Sequence, residues 1–143
     1  MFPRVLLVIA GAVFLGFGIA SWMNPELPAD TAGLFIGNQD GLAEITATYG
    51  GLQASLGAVM LASALIKSYL KPGLWLMVIC IGSLGAARAT VAFGELGSQV
   101  VIGGGSLAVN MPPGFTSYTW IAIGFEVAMA LLAAIALFQN RKN

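Results

Sequence analysis

The sequence predicts an all-α integral membrane protein, a single domain over residues 1–143 built as a four-helix bundle with both termini in the cytoplasm. Three observations carry this prediction. First, 58% of the residues are hydrophobic and 8% are charged, with a mean hydropathy of +0.89, against about 25% charged residues in an ordinary soluble domain. Second, four apolar runs each match the roughly 20 helical residues needed to cross a hydrocarbon core of about 30 Å. Third, the basic residues gather on one side of these runs and the acidic loops on the other.

The first run, 5–22, is 18 residues without a charge. It resembles a signal peptide, with Arg4 ahead of an apolar core and Gly18, Ile19, Ala20 and Ser21 at its end. It reads as a retained span, because the apolar stretch continues to Trp22 and Ala12, Gly16 and Ala20 form a small-residue face for a neighbouring helix. The second run, 45–66, has 22 uncharged residues. Ala47, Gly51 and Ser55 make one small face and Gly50, Ala54, Ala58 and Ala62 another, which predicts a central place for this span. The third run, 74–93, carries one charge, Arg88, and offers Gly85 and Ala89 as a matching surface. The fourth run, 118–138, carries one charge, Glu126. The short link 67–72 makes the second and third spans an antiparallel hairpin.

The two remaining loops are longer. Residues 24–41 hold Pro25, Pro28 and the apolar patch Leu34, Phe35 and Ile36, expected to lie on the membrane surface. In 94–117, two short apolar runs flank Gly103, Gly104 and Gly105, as in a short hairpin or flap. The triple glycine is read as a turn, since no Lys-Ser/Thr pair comes after it as a phosphate loop requires.

Charge sets the orientation. Arg4, Lys67, Lys71, Arg141 and Lys142 share one side, whereas Glu26, Asp30, Asp40 and Glu95 lie on the other, whose loops hold no Lys or Arg. The positive-inside rule puts the basic side in the cytoplasm.

Composition also excludes functions. The net charge is zero and no basic block occurs, so nothing recruits a nucleic acid. There is no histidine, which removes the commonest metal ligand and general base and argues against haem ligation. The lone cysteine, Cys80, lies in an apolar run as a small hydrophobe. No cofactor and no metal are expected.

The residues that call for explanation are the polar ones inside the spans. A charge in the bilayer costs about 2.5–3.5 kcal/mol on insertion scales and faces a partner or a cavity. Arg88 lies five residues, about 8 Å, from the outer end of its span. Glu126 lies eight residues, about 12 Å, deep in the fourth. Glu44 marks the outer start of the second span, with Thr46, Thr48, Tyr49 and Gln53 after it, whereas 58–66 and 74–81 are almost wholly apolar. The expected geometry is a polar lobe open to the outer side above a sealed apolar floor, with Glu95 as a cap on the Arg88 face. The candidate site residues are Glu44, Tyr49, Gln53, Arg88 and Glu126. Two readings stay open: a structural ion pair of Arg88 with Glu126 or Glu44 that fixes helix register, and a ligand or proton-handling site made of the same groups.

The pattern Glu44-Ile45-x-Ala47-Thr48-Tyr49-Gly50-Gly51, with Gly57, an arginine near the outer end of span three and a glutamate in span four, resembles a bacterial family of four-span membrane proteins known as a domain of unknown function and loosely DoxX-like. The resemblance covers most of the chain. It implies the four-helix fold, the bacterial inner membrane, and Glu44, Tyr49, Arg88 and Glu126 as the positions to watch. The family carries a basic residue where this chain has Thr46, which leaves Arg88 to serve both acids.

These residues suggest three functions. The first is a protein that binds or helps to move a small lipophilic or anionic molecule at the outer lobe. The second is an accessory or assembly subunit of a membrane complex, or a homo-oligomer, contacted through glycine-lined faces. The third is an isomerase-like membrane enzyme with Glu126 as acid and base and Arg88 as electrostatic stabiliser. The absence of histidine argues against hydrolysis by a nucleophile–base triad.

Overall fold

A computed structural model describes residues 1–93 and 115–139. The expectations for Glu95, for the triple-glycine turn and for Arg141 and Lys142 lie outside the described residues. Within them the chain is all-helical. Helix α1 spans Phe2–Met23, started by Pro3 in its first turn, where a missing N–H costs no hydrogen bond. A short helix α2, Glu26–Ala32, comes next and ends at Gly33, whose φ of 67° is a left-handed conformation natural to glycine. Asn38 caps α3, Gln39–Ile45, by accepting a 2.8 Å hydrogen bond from the Gly41 amide. Then α3 runs without a break through a π-helical segment, Thr46–Leu52, into α4, Gln53–Leu65. After a 3-10 turn at Lys67–Tyr69 comes α5, Leu70–Leu76, a second π-helical segment, Met77–Ile81, and α6, Gly82–Phe93. The last helix, α7, covers Ser117–Gln139.

Three helices are long and apolar enough to cross a membrane: Phe2–Met23, Lys67–Phe93 and Ser117–Gln139. They carry the first, third and fourth expected spans. The second expected span, 45–66, falls on the run from α3 to α4, whose first turns hold Thr46, Thr48, Tyr49 and Gln53.

The helices pack as two pairs, α1 with α4 and α6 with α7. Small residues make the first seam. A methyl group at Gly18 would stand 2.7 Å from the Ala54 Cα, and one at Gly57 would stand 2.7 Å from the Gly11 carbonyl oxygen. Backbone meets backbone here, the geometry that small residues permit between helices in lipid. Among the described residues the two pairs meet chiefly at one end. There Leu7 and Ala10 of α1, Met60 of α4, Leu74, Met77 and Ile81 of the third run, and Ala133 and Ala136 of α7 form one buried cluster. Toward the other end α6 keeps to α7 and makes little contact with α4 among the described residues. Among the described residues the two pairs form a wedge, closed at the end that holds Leu6 and Ala136 and wider at the other, where α2 lies against α7.

Two expectations about packing are corrected. The face Ala12, Gly16 and Ala20 is not the seam: Ala12 and Gly16 are exposed, and nothing lies within 4 Å of a methyl group built on Gly16. The buried face carries Gly11 and Gly18 instead, seven residues apart, which is also two helical turns. Nor is the second span central. It packs on α1 through Gly50, Ala54 and Gly57 and on α5 through Ser63, Gly51 has open space beside it, and α1 is the helix that touches α2, α4, α5 and α7. Gly85 packs on Glu126 and Val127 of α7 rather than on the second span.

Candidate functional site

The wider end of the wedge holds a cleft of about 330 Å³. Its walls come from both pairs: Val13, Phe14 and Phe17 of α1 and Gln53 at the start of α4 on one side, Leu84 and Arg88 of α6 with Tyr118, Ile121, Ala122, Phe125 and Glu126 of α7 on the other. On α7, Tyr118, Ala122 and Glu126 recur every four residues, and so do Leu84 and Arg88 on α6, so each helix turns one continuous stripe toward the cleft. Val13 and Ile121 are also exposed, so the cleft meets its surroundings through an apolar edge.

Arg88 Nη1 donates a hydrogen bond to Glu126 Oε1 and forms an ion pair with it. The glycine one turn before Arg88 explains how two helices bring these groups together. Gly85 lies against the Glu126 Cβ and the Val127 backbone, 3.2 and 3.4 Å from where its own methyl group would stand. The pair is unequally buried: the Arg88 side chain is 25% exposed and that of Glu126 is 7% exposed. The second carboxylate oxygen, Glu126 Oε2, is buried and has no hydrogen-bond partner among the described residues. A carboxylate accepts through both oxygens, and a buried acceptor left empty is costly. This one oxygen is the least satisfied polar atom of the site.

The other candidates divide. Gln53 lines the cleft. Tyr49 is half-buried and lies near enough for its hydroxyl to act electrostatically on the Arg88 guanidinium, as does Tyr118. Glu44 is exposed and stands outside the cleft, and of the two acids proposed for Arg88 it is Glu126 that pairs. Glu44 stands nine residues before Gln53, half a turn around an α-helix and about 13 Å along it, so the two do not share a face or a depth. One hydroxyl expected in the lobe, that of Thr46, serves its own helix instead, as does that of Ser55 on the small-residue face. Thr46 Oγ1 bonds to the Leu42 carbonyl at 2.7 Å and Ser55 Oγ to the Gly51 carbonyl at 2.8 Å, which satisfies each locally.

Sequence reasoning missed the aromatic walls, Phe14, Phe17, Tyr118 and Phe125. The signal was present on α7, where Tyr118 and Ala122 stand two turns and one turn before Glu126 on its face. Cys80, half-buried and free, lies away from the cleft.

A larger, shallower groove of about 660 Å³ runs beside Trp22, between Leu42, Thr46, Ala47 and Gly51. It holds no charged side chain, so the chemistry belongs to the smaller cleft. That cleft offers N–H donors, a carboxylate and an amide against an apolar wall. Among the described residues no three His, Cys, Asp or Glu side chains converge as a metal site would need.

No family model, no curated protein and no solved structure matches the chain. What fold and site define is a class: an all-helical membrane protein with a buried Arg–Glu pair in the wall of an aromatic cleft.

Proposed function

We propose that this is a four-span protein of the bacterial inner membrane that binds, or helps to move, a small lipophilic molecule in the cleft beside Arg88 and Glu126. The observation that carries the reading is Glu126 Oε2, a buried acceptor without a partner among the described residues, next to a guanidinium at the wall of a cleft of ligand size. Intramembrane charges cluster at binding and transport sites. π-turns do so too, and here one precedes Gln53 directly while the other ends three residues before Leu84.

Both termini lie in the cytoplasm and the cleft faces the outer half of the bilayer. Arg4, Lys67 and Lys71 stand on the closed side of the wedge, with Asp30 in α2 and Asp40 in α3 beyond the far end of α1. Aromatic side chains suit the interfaces: Trp120 packs with Phe93 and Phe115 at ring-centre distances of 5.6 and 6.1 Å, and Tyr69 is exposed in the short link. The resemblance of residues 44–51 to a four-span family agrees with this arrangement.

Native mass spectrometry of the protein released from bilayer nanodiscs tests the reading. The wild type is expected to carry a lipophilic adduct that Ala122→Phe removes, since the larger ring fills the cleft from the position one turn before Glu126. A wild type free of adduct, or an adduct retained by the variant, overturns binding at this place.

A second reading is a subunit of a larger membrane assembly. The small residues Ala12, Gly16, Ala47 and Ser55 are exposed within this chain, and such faces suit helix–helix contact in lipid. A stoichiometric partner in gentle-detergent pull-downs would favour it, and a clean monomer would count against it.

A further inference from the structure

The hydrogen-bonding inventory of the cleft defines what its occupant must offer. Arg88 presents five N–H donors in a planar fork, and Nη1 is spent on Glu126, so the remaining donors at the cleft wall need an acceptor. Glu126 Oε2 needs a donor. The Glu126 side chain lines the cleft, so a group bound there beside the ion pair lies within reach of the carboxylate. A hydroxyl group satisfies both needs with one atom, accepting from the guanidinium and donating to the carboxylate. A ketone or ether accepts only, and a hydrocarbon does neither.

Charge narrows the class further. The Arg88–Glu126 pair sums to zero. An anionic headgroup would set a second negative charge beside a carboxylate whose side chain is 7% exposed, or draw Arg88 away and strand it. An ammonium would do the same to Arg88. Size sets the length. At about 30 Å³ per water-sized group, a cleft of about 330 Å³ takes roughly eleven such groups. That is a headgroup and a medium-length chain, held between Phe14, Phe17 and Phe125 and entering over the exposed apolar edge at Val13 and Ile121.

We propose that the occupant of this cleft is an uncharged amphiphile with a hydroxyl headgroup, bound by Arg88 and Glu126 together. The proposal rests on the binding reading above and narrows it to one chemical class.

Four probes of equal chain length separate the possibilities: 1-decanol, decanoate, decylammonium and decane, each added to the full-length protein in nanodiscs while its thermal unfolding is monitored. Decanol at ten times its Kd is expected to raise the midpoint by about 6 °C, and the other three by under a quarter of that. The Ala122→Phe protein is expected to lose the decanol shift, which removes general bilayer softening as its source. Decanoate or decylammonium matching decanol overturns the selection against charge. Decane matching decanol overturns recognition of the hydroxyl, and a shift retained by Ala122→Phe overturns the location. In all three cases a co-purified lipophile that Ala122→Phe removes leaves the broader binding reading standing. If no probe stabilises and no lipophile co-purifies, both fail together. The charge argument also supplies a positive control: Glu126→Gln leaves Arg88 unbalanced and is expected to turn the preference toward decanoate.

Discussion

Removing one member of the ion pair is expected to cost different amounts depending on which member goes. Arg88→Met keeps most of the side-chain volume but leaves the carboxylate of Glu126, 7% exposed, with no cation beside it. Breaking a buried pair this way costs about 3–5 kcal/mol, and insertion scales put a lone charge in the bilayer at about 2.5–3.5. About 3 kcal/mol is the resulting expectation. Glu126→Gln keeps the shape and leaves the charge of Arg88, whose side chain is 25% exposed and long enough to swing toward water. Its cost is about 1 kcal/mol. For a chain of this size about 4 °C of midpoint corresponds to 1 kcal/mol, which predicts falls of about 12 °C and about 4 °C. The double variant buries no charge and is expected within about 1 kcal/mol of wild type, a coupling of about 3 kcal/mol. Thermal unfolding of the four proteins in nanodiscs measures the cycle. Equal falls for the two single variants, or a double variant whose loss is their sum, would refute the assignment of unequal burial and direct pairing.

Gly57→Ala sets a methyl group against the Gly11 carbonyl oxygen and the Leu15 backbone, which cannot swing aside, and is expected to lower the midpoint by about 8 °C, or about 2 kcal/mol. Gly16→Ala meets open space and gains helix propensity, so its midpoint is expected to stay or rise, and circular dichroism melts compare the two. Orientation is read by a single cysteine: Ser68→Cys in a Cys80→Ala background sits in the exposed Lys67–Tyr69 turn and is expected to react with an impermeant maleimide in inverted vesicles but not in intact cells. Labelling from outside would reverse the topology.

The long apolar runs and the pairing of Arg88 with Glu126 were legible because composition and depth are properties of a sequence read in order. A charge 8 Å deep facing one 12 Å deep needs no side-chain detail to be matched, each depth being about 1.5 Å per residue. Which small residues face a neighbour was not legible. Ala12, Gly16 and Ala20 keep the four-residue spacing, yet Gly11 and Gly18 do the packing, because a face that meets lipid and a face that meets a helix carry similar residues in a membrane. The place of Glu44 outside the cleft could be read from spacing, since nine residues before Gln53 is half a turn around an α-helix and about 13 Å along it. The aromatic walls were hidden because α1 and α7 meet only in three dimensions, although Tyr118 and Ala122 lie on the Glu126 stripe.

Seen mechanically, the molecule is a lever with its pivot at the closed end. The α1–α4 seam, with backbone against backbone at Gly18 and Gly57, is a stiff arm that cannot slip by a residue. The α6–α7 pair is the other arm, and Met60, Met77 and Met129 sit in the cluster that joins the two. Methionine is the most pliant of core side chains, and this cluster shares Phe14 with the cleft wall. A repacking among the three methionines would reach the span between Gln53 and Arg88 through the arms and through Phe14, although none of the three lines the cleft.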